Sequence, residues 1–347
     1  MSGTRFALLT MWMLCMGVAV SATEDAAPQD EILLKNGSRV IGTVTGSRDG
    51  VVTIDTDFAG TLSITAEEIQ SIDTAGSLVV QMSDGQIFRD RPIAMKDDLI
   101  VITEGNGDQL SYAVTDILLI NPEPWELGEG YKWSGLISFG WVTESGNTNS
   151  EELDYSLESV WRSVEDRYTI RFDGEYDEAN DQKSADNWTV IGKYDYFLDD
   201  PSWYIGVNAS AEVDEFADLD LRYYIGPYVG HQFYEQAIFT LESELGLAYV
   251  NEDFTTAEDQ DYLGANWSVR MSSNYLGGDS RLYINHIGIW NLDVTTDIIL
   301  NTTFGLAFPL LGSLEAAAEV LYEYDSGAVE GIEKLDETYR LRIGYTW

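Results

Sequence analysis

Cysteine occurs once in this chain of 347 residues, histidine twice and proline seven times. A single thiol closes no internal disulfide, and His or Cys at metal-ligand spacing is absent, so disulfide scaffolds and zinc centres of those ligands are excluded. Basic residues are scarce as well: 19 Lys and Arg stand against 60 Asp and Glu, a formal net charge of -41. So negative a chain repels nucleic acid, which is excluded as a partner. Beyond Val20 no stretch approaches the ~20 apolar residues that a membrane helix needs. A membrane reading therefore requires a closed barrel.

What is present is apolar and aromatic. Hydrophobic residues make up 44% and aromatics 12% of the chain, with 10 Trp and 20 Tyr, too much for an acidic chain that buries no core. Such aromatics suit a membrane-interface belt. An acidic surface is also what a protein adapted to high salt carries.

At the amino end, Arg5 precedes an apolar run from Phe6 to Val20, and Val20-Ser21-Ala22 supplies a small-residue cleavage site. This predicts a secretory signal peptide over residues 1–22. Cys15 raises the alternative of a lipoprotein signal, but Leu14 before it is bulky where a small residue is needed. Cleavage would remove Cys15 and leave a thiol-free chain.

Residues 32–120 carry an internal repeat. Asn36-Gly37 recurs as Asp84-Gly85, Val51-Val52-Thr53-Ile54 as Leu99-Ile100-Val101-Ile102, and Ile69-Gln70-Ser71-Ile72 as Ile117-Leu118-Leu119-Ile120, each 48 positions later. Three matches at one ungapped offset mark a duplicated unit. Turn signals at Asn36-Gly37, Asp49-Gly50, Ala59-Gly60, Asp84-Gly85 and Asn106-Gly107 separate short strands. The expectation is two tandem SH3-like β modules, over residues 30–75 and 76–121, that hold a protein partner or serve as a spacer or plug. Pro122 and Pro124 then mark a stiff linker over residues 122–130.

From Tyr131 onward, one amphipathic strand follows another. Tyr168, Ile170, Phe172 and Tyr176 alternate with Thr169, Arg171, Asp173 and Glu175, and Leu314, Ala316, Ala318, Val320, Tyr322 and Tyr324 oppose Glu315, Glu319 and Glu323. Successive strand residues point to opposite faces, so each strand is greasy on one side and polar on the other. Segments starting near Tyr131, Thr148, Tyr168, Asn187, Trp203, Leu219, Ala237, Tyr262, Arg281, Thr296, Leu314 and Leu335 predict twelve strands. An even count suits an antiparallel transmembrane β-barrel over residues 131–347. Connections after even strands are compact, whereas those at 177–186, 214–220, 251–261 and 325–336 are longer and acidic. Short turns inside and long loops outside fit an outer-membrane barrel. Trp133, Trp161, Trp203, Phe308 and Trp347 fall near one set of strand ends, and Trp141, Trp188, Tyr249, Trp290 and Tyr324 near the other, as two aromatic girdles. A soluble β-sandwich or lipocalin-like barrel also alternates, but need not end on an aromatic in mid-strand. Tyr345 and Trp347 in the last alternating run are read as the signal that the barrel assembly machinery recognises.

Trp133-x-Gly135 with Gly140, Ser145-Gly146-Asn147-Thr148, Ile225-Gly226-Pro227-Tyr228-Val229-Gly230 and the segment from Leu241 to Tyr249 resemble the family of salt-induced outer-membrane proteins, a domain family of unknown function. The resemblance spans residues 133–347, with the Gly-Asn-Thr turn its most specific part. It implies an outer-membrane barrel and a link to salt or osmotic conditions. It brings no catalytic residue.

A search for chemistry finds little. His231 lies at the end of the sixth strand. His286 sits mid-strand without a nucleophile-elbow pattern, so a packed or lumen-satisfied imidazole is the reading preferred. No pair of carboxylates can be singled out among 60 acids for glycoside chemistry. The chain is read as a non-enzyme without cofactor or metal. Its inward face carries Glu158, Arg162, Arg171, Asp173, Glu175, Lys193, Arg222, Glu242, Glu244, Arg270, Glu315, Glu319, Glu323, Arg340 and Arg342. Either these charges cross-pair and fill a closed bore, or they ring a water path and select permeants. Asp218-Leu219-Asp220 and Glu258-Asp259-Gln260-Asp261 offer hard oxygen donors for Ca²⁺ without a recognised loop pattern; solvated acidic surface is the competing account. The reading is an outer-membrane barrel acting in envelope integrity or passive solute passage, meeting lipid and lipopolysaccharide. The alternative is an anchor whose periplasmic modules bind a protein or peptidoglycan.

Overall fold

The computed structural model describes residues 29–347 apart from 49, 97–98, 104–108, 145–149, 181, 237, 278–279 and 330. The predicted leader with Cys15, the Asn106-Gly107 turn and the Ser145-Gly146-Asn147-Thr148 turn lie outside the described residues. The chain divides into two units after Pro122. Among the described residues no helix is long and apolar enough to cross a membrane.

The first unit is all β. β1 (Asp30–Leu34), β2 (Arg39–Arg48), β3 (Val51–Thr56), β4 (Gly60–Thr65) and β5 (Ile69–Asp73) form the first copy of the repeat. β6 (Leu78–Met82), β7 (Ile87–Arg91), β8 (Met95–Lys96), β9 (Leu99–Thr103), β10 (Gln109–Tyr112) and β11 (Ile117–Ile120) form the second. The 48-residue period is written in local geometry. Asn36 Oδ1 accepts from the Ser38 amide at 2.8 Å and Asp84 Oδ1 from the Gln86 amide at 2.9 Å. Gly37 and Gly85, inside those turns, share φ +85°, a conformation that favours glycine. Two 3₁₀ turns, Ala66–Glu68 and Val114–Asp116, likewise stand 48 residues apart, each burying its first side chain. The copies are knit together: β11 pairs with β2 of the first copy and β6 of the second, and one hydrophobic core runs from Ile32, Val52 and Ile54 to Met82, Ile100 and Ile120. The 122–130 segment holds a 3₁₀ turn at Pro124–Leu127, closed by Glu126, whose carboxylate accepts from the Glu123 amide at 2.7 Å.

The second unit is a closed barrel of twelve antiparallel strands, each paired with its sequence neighbours. They are β12 (Lys132–Glu144), β13 (Ser150–Arg162), β14 (Asp166–Ala179), β15 (Gln182–Phe197), β16 (Trp203–Asp214) and β17 (Leu219–Gln236). β18 (Phe239–Phe254), β19 (Gln260–Ser273), β20 (Arg281–Asn291), β21 (Ile298–Pro309), β22 (Leu314–Asp325) and β23 (Leu335–Thr346) complete it. Their starts fall within a few residues of those read from the alternation. Loop lengths differ from expectation. β14 and β15 run to Ala179 and from Gln182, so most of the 177–186 segment is strand rather than loop. The 214–220 and 251–261 segments shrink in the same way. Acidic residues taken as loop formers continue the ladder because cross-strand backbone bonds outweigh their weak intrinsic strand preference. The connection between β22 and β23, residues 326–334, stays the longest of the four.

Aromatic side chains fold over glycines on neighbouring strands and seal the wall. Tyr204 covers Gly230, Tyr228 covers Gly206, Tyr283 covers Gly305, and Trp267 covers Gly288, each opposite its partner in register. A Cβ at any of these glycines would overlap the ring, so the aromatic supplies packing that the glycine leaves out. Outside, Ile205, Ile225, Leu245, Leu263 and Phe304 are exposed, as are the girdle residues Trp133, Trp203, Trp141, Tyr249 and Trp290.

Candidate functional site

The polar faces of the barrel strands converge on the bore. Alternation carries the charges there, and closure makes them partners. Near the end holding β12's start and β23's finish, Arg167 Nε meets Asp195 at 2.6 Å and its Nη1 meets Glu242 at 3.1 Å. Asp195 is fully buried and also accepts from Tyr228 Oη. Arg162 has no ion pair among the described residues; its guanidinium lies 3.3 Å from the centre of the Phe197 ring, a cation–π contact. Arg281 binds Glu315 at 2.9 Å.

At mid-height Glu158 of β13 accepts from Arg171 of β14 at 2.6 Å and from Arg270 of β19 at 2.5 Å. β13 and β19 are six strands apart in either direction round the ring, so this ion pair crosses the bore. Lys193 reaches Glu244 at 2.5 Å, and Glu244 also accepts from Tyr204 Oη at 2.9 Å and Ser268 Oγ at 2.8 Å. Arg342 lies 3.2 Å from Glu319, which accepts from Tyr283 Oη at 2.5 Å.

Towards the opposite end, Arg340 contacts Asp154 at 2.8 Å and Glu175 at 3.0 Å. Arg222 of β17 collects Glu252 at 2.6 Å, Asp325 at 2.8 Å and Glu212 at 3.5 Å, the second from a strand five places away. Setting each guanidinium nitrogen against a different carboxylate is what keeps buried charge tolerable.

Glu158, Arg171, Glu242, Arg270, Glu319, Arg340 and Arg342 line one cavity, and Glu175, Lys193, Arg222, Glu244 and Glu315 are in ion pairs. Asp173 and Glu323 have no ion pair among the described residues and border the same cavity, of 470 Å³, together with Arg167, Arg171, Arg270 and Arg281. The sequence reading left out Arg167, Asp195, Glu252, Asp154, Arg281 and Asp325. All but Arg281, whose strand β20 carries no other expected charge, share their strand parity with an expected inward residue, and that parity is the signal that finds them. Inward tyrosines 204, 228 and 283 were also left out, because an aromatic in an amphipathic strand reads as lipid-facing.

Of the two alternatives expected for His286, packed or lumen-satisfied, the structure shows the packed one: it shares its face with Ile284 and Trp290 on the outside of the barrel. Trp267 Nε1 donates to its Nε2 at 3.0 Å, and its Nδ1 lies 2.8 Å from Thr302 Oγ1. A polar residue on the outward apolar face is held by satisfying both ring nitrogens. His231 stacks between Trp203, at 4.3 Å, and Phe233, at 4.5 Å, within an aromatic girdle.

The acidic loop clusters are turned to loop structure. Asp218, at φ +61°, accepts from Thr256 Oγ1 at 2.7 Å and from the Thr256 and Ala257 amides, each at 3.2 Å. Those bonds, the Thr256 hydroxyl first, hold its carboxyl below the usual carboxylate range. Asp259 caps the Phe254 amide at 3.0 Å. Among the described residues no group of three or more His, Cys, Asp or Glu is placed to hold a metal ion.

Residues 137–347 match the model of a family described as a protein of unknown function, DUF481. Among solved structures the chain is similar to a NanC porin, at 14% identity over 62% of this chain and 98% of that one, with a TM-score of 0.39. It is similar to the outer membrane channel DcaP of Acinetobacter baumannii at 10% identity, covering 92% and 94% of the two chains, with a TM-score of 0.32. OpdL of Pseudomonas aeruginosa is similar at 11% identity over 63% of this chain and 98% of that one, with a TM-score of 0.23. No curated protein matches the chain.

Proposed function

The chain belongs to the DUF481 family of unknown function, so its role is read from its own residues, and we propose that it is an outer-membrane β-barrel admitting small ions and solutes sparingly through an ion-paired bore. The observation that carries the reading is the segregation of the wall. Arg and carboxylate pairs fill the inside, while Ile225, Leu245, Leu263 and Phe304 are exposed outside between two sets of aromatics. A closed ring with that polarity suits hydrocarbon around it and water or paired charge within. The Glu158 bridge from Arg270 supports restricted rather than porin-like passage, because the bore is spanned at that level. On this reading the N-terminal sheets lie in the periplasm. Purified full-length protein in planar bilayers should give small, infrequent conductance steps. Large steady steps would refute the restricted bore, and a detergent-free soluble monomer would refute the barrel in lipid.

A second reading, an anchor for a periplasmic protein or peptidoglycan, draws support from Phe58. It is 79% exposed at the hairpin between β3 and β4, an apolar tip suited to a partner. Loss of a co-purifying partner on Phe58→Ser, with conductance unchanged, would favour it.

A further inference from the structure

The strand that closes the barrel is only half joined. β12 and β23 share four ladder pairs, Leu136 with Thr346, Ile137 with Tyr345, Ser138 with Gly344 and Phe139 with Ile343. The Gly135 and Trp347 backbones add two hydrogen bonds, at 3.1 and 3.2 Å. Beyond Phe139 and Ile343 no further ladder pair joins the two edges among the described residues, although Leu341 O still lies 3.0 Å from where a Cβ of Gly140 would stand and β23 keeps eleven pairs with β22 on its other side. Side chains flanking this gap stand open: Trp141 is 74%, Tyr339 72% and Leu341 78% exposed, against 44% for Phe304 on an intact part of the wall.

Three further observations bear on the gap. First, the 470 Å³ cavity is lined by Leu136, Leu321, Arg340 and Arg342, so it abuts the unjoined edges. Its size is that of a small-ligand site. Second, what holds the edges together is electrostatic. Arg340 on β23 reaches past β12 to Asp154 on β13 and Glu175 on β14, a clasp on the lumen side. Gly140 of β12 leaves room there, with Leu341 O and the Asp154 side chain next to where a Cβ would stand. Third, from Ser134 to Gly140 and from Thr338 to Gly344 the lumen-facing positions of the two edges are Ser, Leu, Ser, Gly and Thr, Arg, Arg, Gly. Over the whole of β23 the charges of that parity are Asp336, Arg340 and Arg342, two cations to one acid, in a chain with a net charge of -41.

We propose that the β12–β23 seam is a lateral portal, latched by Arg340, through which an anionic lipid of the surrounding membrane places its headgroup in the cavity while its acyl chain stays outside. Unpaired backbone at membrane depth is tolerated only where water or a polar group satisfies it; a phosphate headgroup accepts from free amides, and water that enters with it donates to the carbonyls. Opening separates Arg340 and Arg342 from Asp154, Glu175 and Glu319, and the headgroup takes the place of those carboxylates. The portal rests on the proposed placement of the barrel in lipid but not on axial conduction.

The test uses full-length protein in phosphatidylcholine nanodiscs with lysophosphatidic acid bearing a diazirine near its head. Photolabel should reach Leu136 and Leu321, and several-fold less should arrive from the matching lysophosphatidylcholine. Asp154→Asn/Glu175→Gln, which frees Arg340 from its latch and keeps both arginines for the headgroup, should raise labelling severalfold. A Trp141→Cys/Leu341→Cys disulfide should abolish it, with recovery on reduction, while bilayer conductance and heat-modifiable gel mobility stay unchanged. Label confined to Phe139, Leu341 and other outward residues, or lumenal label indifferent to the disulfide, overturns the portal. Equal labelling by the two lipids overturns its charge preference. Absent conductance with seam-dependent label would instead sink the axial channel and leave the portal standing.

Discussion

Arg270 and Glu158 meet at 2.5 Å although 112 residues and six strands of wall separate them. Glu158 also accepts from Arg171, so one carboxylate ties neighbouring and opposite walls together. A bore bridged in this way conducts only as its ion pairs exchange. Glu158→Ala should raise single-channel conductance severalfold over wild type. Arg270→Met should do so less, since Arg171 then retains Glu158. Unchanged conductance in both variants would show that the crossing pair does not limit passage.

Arg222 faces three carboxylates and is nearly buried. Arg222→Met leaves Glu212, Glu252 and Asp325 without a cation and should destabilise the barrel by about 3–5 kcal/mol in urea unfolding. Arg222→Lys keeps the charge but loses the fork that serves Glu252 and Asp325 together, and should recover only part of the loss. Full recovery by lysine would show that charge alone matters there.

Gly230 packs against the ring of Tyr204, which is fully buried. Gly230→Ala places a methyl group where that ring lies and should cost about 1–3 kcal/mol. Tyr204→Ala in the same background should cost less than it does in wild type, because the clash disappears with the ring. Strict additivity in a double-mutant cycle would contradict the packing.

Asp218 clasps the 255–257 loop with a carboxyl held below its ordinary range. The folded carboxyl titrates lower than the free one, so the clasp is fully formed above the ordinary carboxylate range and is lost as pH falls through the folded value. Amide exchange at Thr256 and Ala257 should accelerate on strong acidification relative to neighbouring loops, after correction for intrinsic exchange. Asp218→Ala should exchange fast at every pH. A pH-independent protection ratio in wild type would refute the clasp.

Strand count, facing and the 48-residue duplication were legible in the sequence because each rests on short-range periodicity. Ile170 and Arg171 differ in facing by their position alone, and Asn36-Gly37 and Asp84-Gly85 specify the same turn wherever they occur. The sequence leaves His286 between a packed and a lumen-satisfied imidazole because its partners are not written next to it. Its outward position depends on Trp267 and Thr302 arriving from the strands on either side.

The amino-acid sequence alone thus determined a two-faced ribbon of strands, since period-two alternation sorts apolar from charged side chains residue by residue. Only the tertiary structure decided that Glu158 belongs to Arg270, that Arg222 gathers three acids, and that β12 and β23 join over four pairs. Those outcomes depend on how twelve strands close into a ring. Strand tilt and stagger at closure set which charges meet across the bore and how much of the last edge finds a partner.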